Sequence, residues 1–344
     1  MMTRKYIGAD VHCRLTELAI LERDEVVQRH RIPTTIPQFV RVLGTLSGQR
    51  ILVMEEGPMA GWLSRNLRRH ADRIIVTDPR RNHYIAKDGD KSDPIDAAKL
   101  AQLARGGYVR EVYHGDDEQR VVFKDMTALY HDRVREIVRQ INKVYACGRQ
   151  WGVVMPRTTR NPERRAEWMA ELDCTALAEQ LAILWLGYDT AAQQAMMALR
   201  HVRRLAKAYP IIKLWQEVPG IGLVRAATLH AYLDTPWRFR RPNQLCKYCG
   251  IGLQRSSSGT DRLGRPKAGT LHVAWAANRR LKDAVMGAAT NAIAGATGFG
   301  EQYRRLLKKG VAPGNAKRTV GRKLLTVMWS MWKHNAPFDA SLLT

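Results

Sequence analysis

Along the first third of the chain, apolar and polar residues alternate in short runs separated by turn residues. Residues 5–11 (KYIGADV) form an apolar run of β character, and 15–22 alternates so as to pair with it. Residues 25–33 (EVVQRHRIP) read as a third strand ending at a proline. Helical spacing follows over 37–46, then the continuous apolar pattern of a buried strand at 50–55 (RILVME). Residues 59–70 (MAGWLSRNLRRH) predict a helix with apolar and basic faces, and 73–77 (RIIVT) another strand.

From about residue 119 the period lengthens. Tyr130, Val134, Ile137, Ile141 and Val144 step by 4, 3, 4 and 3, which is a heptad seam. A second helical stretch, rich in Ala, Leu and Met, covers 162–208, and a turn or linker at 155–162 separates the two. Such a seam serves equally for an intramolecular helical hairpin and for packing on a second subunit. Farther on, Val218-Pro219-Gly220-Ile221-Gly222 precedes helical spacing over 223–233, the pattern of a helix–hairpin–helix. Glycines in such a turn let backbone N–H groups approach a phosphate at the start of the second helix.

The predicted fold is therefore α/β followed by all-α. Three strands, a helix, then strand–helix–strand is the element order of an RNase H-like sheet. Three segments are expected: an RNase H-like domain at 1–118, a long-helix or coiled-coil segment at 119–208, and a mostly helical domain at 209–344. With 344 residues, 45% of them hydrophobic, the chain has material for about two packed cores, which excludes wholesale disorder. The start of the chain lacks a continuous apolar signal region, and no apolar run approaches the ~18–20 residues of a membrane span. A soluble cytoplasmic protein is expected. Five scattered cysteines argue against a disulfide framework. Cys246 and Cys249 have CxxC spacing without a second ligand pair, so they read as small buried residues at a helix end, and no zinc is predicted.

Charge narrows the function. Lys and Arg number 56 against 32 Asp and Glu, a net of +24. The excess is +4 over residues 1–100, +1 over 101–200 and +19 over 201–344. Arg outnumbers Lys 40 to 16, and its planar fork of donors matches phosphate oxygens. This is the footprint of a polyanion, and nucleic acid is the expected partner, gripped through its backbone. Gly220, Gly222 and Arg225 of the hairpin are candidate contacts. The polar loop Arg255-Ser256-Ser257-Ser258-Gly259-Thr260-Asp261-Arg262-Leu263-Gly264-Arg265-Pro266-Lys267 adds Arg255, Arg262, Arg265 and Lys267. By its residues alone this loop is a phosphate-gripping turn, since no base is placed beside any of its hydroxyls.

The acidic residues form a second pattern. Asp10 ends the first strand, and Glu55 ends the strand at 50–55. These two strands are neighbours in an RNase H-like sheet. Asp93 and Asp96, three apart at the start of a helix, share one helical face. Four such acids at one place require hard divalent cations between them, chiefly Mg²⁺, and a pair of ions suits phosphodiester cleavage. Each acid also has an ordinary reading: Asp93 before Pro94 is a good N-cap, and Glu56 competes with Glu55.

Taken together, Tyr6-Ile7-Gly8-Ala9-Asp10, Val53-Met54-Glu55, Ser92-Asp93-Pro94-Ile95-Asp96-Ala97, Val218-Pro219-Gly220-Ile221-Gly222, Ser258-Gly259 and Arg265-Pro266-Lys267-Ala268-Gly269 resemble the insertion-sequence 110 family of bacterial transposases. These are DEDD recombinases with a RuvC-like N-terminal domain. Where many relatives have Glu-Ala-Thr-Gly, this chain has Glu55-Glu56-Gly57-Pro58. The resemblance carries a metal tetrad onto Asp10, Glu55, Asp93 and Asp96. It makes Ser258 the nucleophile, with Ser256 and Ser257 as fallback candidates. It implies two Mg²⁺ ions per site, a transient phosphoserine link to DNA, donor and target DNA as substrates, and a structured noncoding bridge RNA as guide. It also implies a homo-oligomer, dimer or tetramer, with serine and carboxylates acting in cis or in trans, in a bacterial protein associated with the nucleoid during reaction. The rival readings are a metal-dependent endonuclease resembling a Holliday-junction resolvase, in which water attacks, and a non-enzymatic nucleic-acid-binding protein.

Overall fold

The computed structural model describes residues 3–81, 93–115, 117–256, 270–273 and 277–343. The chain divides into two compact units, 1–116 and 117–344.

The first unit is a mixed α/β layer structure. Its strands are β1 (Arg4–Val11), β2 (Leu15–Glu22), β3 (Glu25–Pro33), β4 (Gln49–Glu55) and β5 (Arg73–Thr77). Helices α1 (Ile36–Gly44), α2 (Ala60–Leu67) and α3 (Asp93–Arg105) complete the described part. The sheet runs β3-β2-β1-β4-β5; β1, β2 and β3 form an antiparallel meander, whereas β4 and β5 lie parallel to β1. Alternation along each strand sorts its side chains to opposite faces. Ile7, Ala9, Leu18, Ile20, Leu52 and Met54 face Phe39, Leu43, Leu63 and Leu67 of α1 and α2. On the other face Tyr6, Ile51, Val53 and Ile75 meet Ala104, while Ala19 meets Ala97 and Ala98. Helix α3 therefore covers the second face, which explains why β4 is apolar on both sides.

The second unit is largely helical. Helix α4 (Glu118–Gln150) is capped by Asp117, whose carboxylate accepts from the backbone N–H groups of Gln119 and Arg120. It packs along α6 (Thr175–Ala206), and the paired positions Cys147/Gln180, Gln140/Gly187 and Arg133/Gln194 make the two antiparallel. Ile141, Val144 and Cys147 meet Leu177, Leu181 and Trp185 in their shared core, so the C-terminal end of the seam is filled within the chain, while Tyr130 packs against a second core. The helical stretch expected over 162–208 is two helices, α5 (Pro162–Ala170) and α6, divided at Glu171–Cys174. Arg165 of α5 bridges that break. It is buried, donates to both carboxylate oxygens of Asp189 at 3.1 and 2.5 Å, and lies 4.5 Å from the Trp185 ring.

Helices α7 (Pro210–Trp215), α8 (Leu223–Leu233), α9 (Pro242–Tyr248), α10 (Arg279–Ala294), α11 (Gly298–Lys308) and α12 (Pro313–His334) share one core. Trp215 anchors it: the indole N–H donates to the Met328 carbonyl at 3.0 Å, and the ring meets Trp332 edge-on. Cys246 and Cys249 are buried at the end of α9, and burial pushes the Cys246 thiol up to about 11. A two-stranded hairpin, β6 (Leu253–Ser256) with β7 (Thr270–Val273), brackets the serine-rich segment. Among the described residues, no helix is long and apolar enough to cross a membrane.

Candidate active site

The site is assembled by the close approach of α3 to β1. Gly8 faces α3, and a Cβ there would collide with the Ala97 carbonyl oxygen and come within 2.9 Å of the Ala101 nitrogen. Only glycine lets the helix lie this close, and the consequence is that the first turn of α3 rests at the end of β1. That turn carries Asp93 and Asp96.

Asp10 is half-buried at the C-terminal end of β1. Burial pushes its carboxyl above the ordinary carboxylate range; His12 opposes the rise, and the charges of Asp93 and Asp96 add to it. Asp93 is exposed, whereas Asp96 has one carboxylate oxygen, Oδ1, shut off from solvent with no hydrogen-bond partner. A buried, unbonded carboxylate oxygen beside other acids is costly unless a cation takes it up.

Glu55 ends β4, one residue beyond the last registered pair of β1 and β4, Ala9 with Met54. It has the same parity as Ile51 and Val53, so it belongs to the α3 face of the sheet, as Asp10 does. Glu56 has the opposite parity, and its Oε2 lies 2.5 Å from Nε2 of His114. Among the described residues, one group of side chains brings three ligand atoms within 4.8 Å of one another: Asp10, His12 and Asp93. Glu55 and Asp96 are outside that group.

His12 escaped the sequence reading, although Asp10-Val11-His12 offered the signal: residues two apart on an extended strand project to the same side. Its Nε2 is 3.2 Å from Oδ2 of Asp10 and 3.6 Å from Oδ2 of Asp93.

The expected nucleic-acid contacts all belong to the second unit. In the turn between α7 and α8, Gly220 has φ +86°, and a Cβ there would run into the Ala288 carbonyl of α10. Backbone conformation and helix packing account for this glycine. Gly222 is the N-cap of α8, with open space at its α-carbon. Arg225 donates to the Gly220 carbonyl at 2.8 Å and so braces the turn. Arg255 is exposed on β6, opposite Leu271. Ser257, Ser258, Arg262, Arg265 and Lys267 lie outside the described residues, as does the side chain of Ser256. A groove that the sequence did not single out is lined by Gln302, Arg305, Leu306, Lys309, Lys323 and Leu343, with basic side chains from α11 and α12.

Comparison with known proteins identifies the family. A family model for DEDD transposases of the IS110 type matches residues 7–148, and one described as transposase IS116/IS110/IS902 family matches 212–304. The chain is 24% identical over 296 residues to y4qE of Sinorhizobium fredii, whose name assigns it to the transposases; the match covers 80% of this chain and 74% of the relative. It is 21% identical over 277 residues to the transposase for insertion sequence element IS1111A of Coxiella burnetii, covering 78% and 74%. The DEDD family implies a divalent metal, and the residues here fit one: Asp10 and Asp93 bring oxygen donors together, and Asp96 on the same helical turn as Asp93 has a buried carboxylate oxygen without a partner. The chain belongs to the IS110 family of transposases and is a DNA transposase/recombinase.

Proposed function

We propose that this transposase cleaves and rejoins DNA by transesterification through Ser258, with Asp10, Glu55, Asp93 and Asp96 holding two Mg²⁺ ions and a structured noncoding RNA choosing donor and target DNA. The observation that carries the reading is the meeting of Asp10 and Asp93 at the end of β1, with Asp96 near enough for its charge to act on Asp10 and Glu55 on the same sheet face by its parity. The strand order β3-β2-β1-β4-β5, with two strands parallel to β1, supports an RNase H/RuvC-like assignment of the first unit.

When bound, the divalent ions offset the carboxylate charge and stabilise charge on the reacting phosphate oxygens. The Ser258 hydroxyl loses its proton as its oxygen forms a bond to phosphorus. One bond from phosphorus to a DNA oxygen breaks, and that oxygen leaves as a hydroxyl. The phosphoserine link retains the energy of the phosphodiester, so an incoming DNA hydroxyl rejoins the strand by the reverse exchange without ATP. Arg255, Arg262, Arg265 and Lys267 hold the phosphate backbone around this serine. The +19 excess beyond residue 200 binds nucleic acid without reading sequence, a task left to base pairing with the guide. Self-association belongs to the same reading, and exposed Ile183 and Leu186 on α6 support it.

The test is recombination by Ser258→Ala alongside trapping on a suicide DNA substrate. Lost recombination, retained DNA binding and a protein–DNA adduct formed only by the native chain are expected. Recombination that survives the substitution, or cleavage with no adduct, would remove the serine mechanism and leave attack by water.

A further inference from the structure

We infer that His12 is a ligand of the metal centre, giving one ion a nitrogen donor beside Asp10 and Asp93 and shifting the preference of that position from Mg²⁺ toward Mn²⁺. The inference rests on the reading of the acidic cluster as a metal site.

Three observations support it. First, the spacing is that of ligands sharing an ion. Ligand atoms at about 2.1 Å from a metal stand roughly 3.0 Å apart at octahedral and 3.4 Å at tetrahedral angles. Nε2 of His12 is 3.2 Å from Asp10 Oδ2, inside that range, and 3.6 Å from Asp93 Oδ2, about 0.2 Å beyond it, and all three ligand atoms lie within 4.8 Å of one another. Second, the backbone that presents the ring is held on both sides. The N–H of His12 donates to the Leu15 carbonyl at 3.1 Å, and its carbonyl accepts from Oγ1 of Thr34 at 2.8 Å. Thr34 is itself buried and bonded to buried Thr16, so the ring is presented by a braced turn rather than a free end. Third, the other donors of the cluster are carboxylates, which by themselves suit Mg²⁺. Mg²⁺ keeps an oxygen shell and gives up its water reluctantly, whereas an imidazole nitrogen favours transition-metal ions.

The test is metal binding by the full-length chain without DNA, using Mn²⁺ and Mg²⁺ as separate probes. Titration calorimetry should find tighter binding of Mn²⁺ than of Mg²⁺. His12→Ala should weaken Mn²⁺ by about tenfold or more while changing Mg²⁺ much less. Pulsed electron paramagnetic resonance of the native Mn²⁺ complex should show coupling to an imidazole nitrogen, lost in His12→Ala. Mn²⁺ binding that is unchanged or tighter in His12→Ala, with no nitrogen coupling in the native complex, would make His12 only a counter-charge to the two acids and overturn the assignment. The double variant Asp10→Asn/Asp93→Asn separates the two levels. If it binds Mn²⁺ like the native chain, the metal reading of the cluster fails together with the His12 assignment. If it loses Mn²⁺ and His12→Ala does not, only the His12 assignment fails.

Discussion

Gly8 and Ala97 are in backbone contact: the α-carbon of one lies against the carbonyl of the other, and no side chain fits between them. This contact sets the distance between the central strand and α3, and therefore the distance between Asp10 and the two aspartates on the first turn of that helix.

Gly8→Ala should push α3 off the sheet. The obstruction is backbone, so no rotamer change relieves it, and overpacking of this kind costs about 3 kcal/mol. Thermal unfolding should show the first unit losing on the order of 10 °C. Stabilisation by added divalent ions should fall with it, because the acids no longer meet. An unchanged melting profile would mean that the helix yields at no cost.

Asp96→Asn keeps the size of the side chain and removes its charge. Recombination should drop by more than about 100-fold, the least expected for losing a metal ligand when losing a neighbour of one costs about 10- to 100-fold. DNA binding measured by gel shift should remain near native, because the positive excess lies beyond residue 200. The removed charge also raises the Asp10 carboxyl in the native chain, so the variant should bring Asp10 closer to the ordinary carboxylate range. Nuclear magnetic resonance titration of the Asp10 carboxyl checks this.

His230 is buried among the rings of Phe123, Tyr209, Trp215 and Trp332, and burial drives its pKa down to about 3 with help from Arg120. Unfolded, the ring takes a proton near pH 6.5; folded, it stays neutral to about pH 3. The unfolded state therefore binds the extra proton across this window. The stability contribution is fully present above pH 6.5 and is lost as pH falls, at about 1.4 kcal/mol per pH unit. Urea unfolding of the native chain and His230→Phe at pH 7, 6 and 5 checks it. The variant should show the shallower pH dependence by that slope.

Ile183 and Leu186 are 72% and 68% exposed on α6, one turn apart, while the opposite stripe of that helix is spent on α4. Replacing both by Glu leaves the packed face untouched, so the melting temperature of a monomer should stay within a few degrees of native. Light scattering should find a smaller assembly than the native chain forms. If the mass is the same, this stripe is not the contact between copies.

Much of the first unit was legible because β1, β2, β4 and β5 are short alternating or doubly buried runs, and period 2 is read directly from apolar positions. The spacing of Asp93 and Asp96 was equally local. The break between α5 and α6 was not, since Ala, Leu and Met continue across it and it is the bond from Arg165 to Asp189 that holds the two helices there. His12 is legible only in part: its spacing puts it on the same side of the chain as Asp10, but its other partner, Asp93, is 81 residues away.

The sequence by itself determined the element types, the two-part division of charge and the spacing of Asp10, Glu55, Asp93 and Asp96. Those follow from local spacing and composition. Tertiary structure decided which groups meet. The parallel pairing of β1 with β4 put Glu55 and Asp10 on one face and turned Glu56 toward His114. A glycine contact brought α3 close enough for Asp93 and Asp96 to raise Asp10, and a braced turn placed the His12 ring between two carboxylates. Residues far apart in the chain act on one another only through packing distances, and those are set by the core rather than by any stretch of sequence.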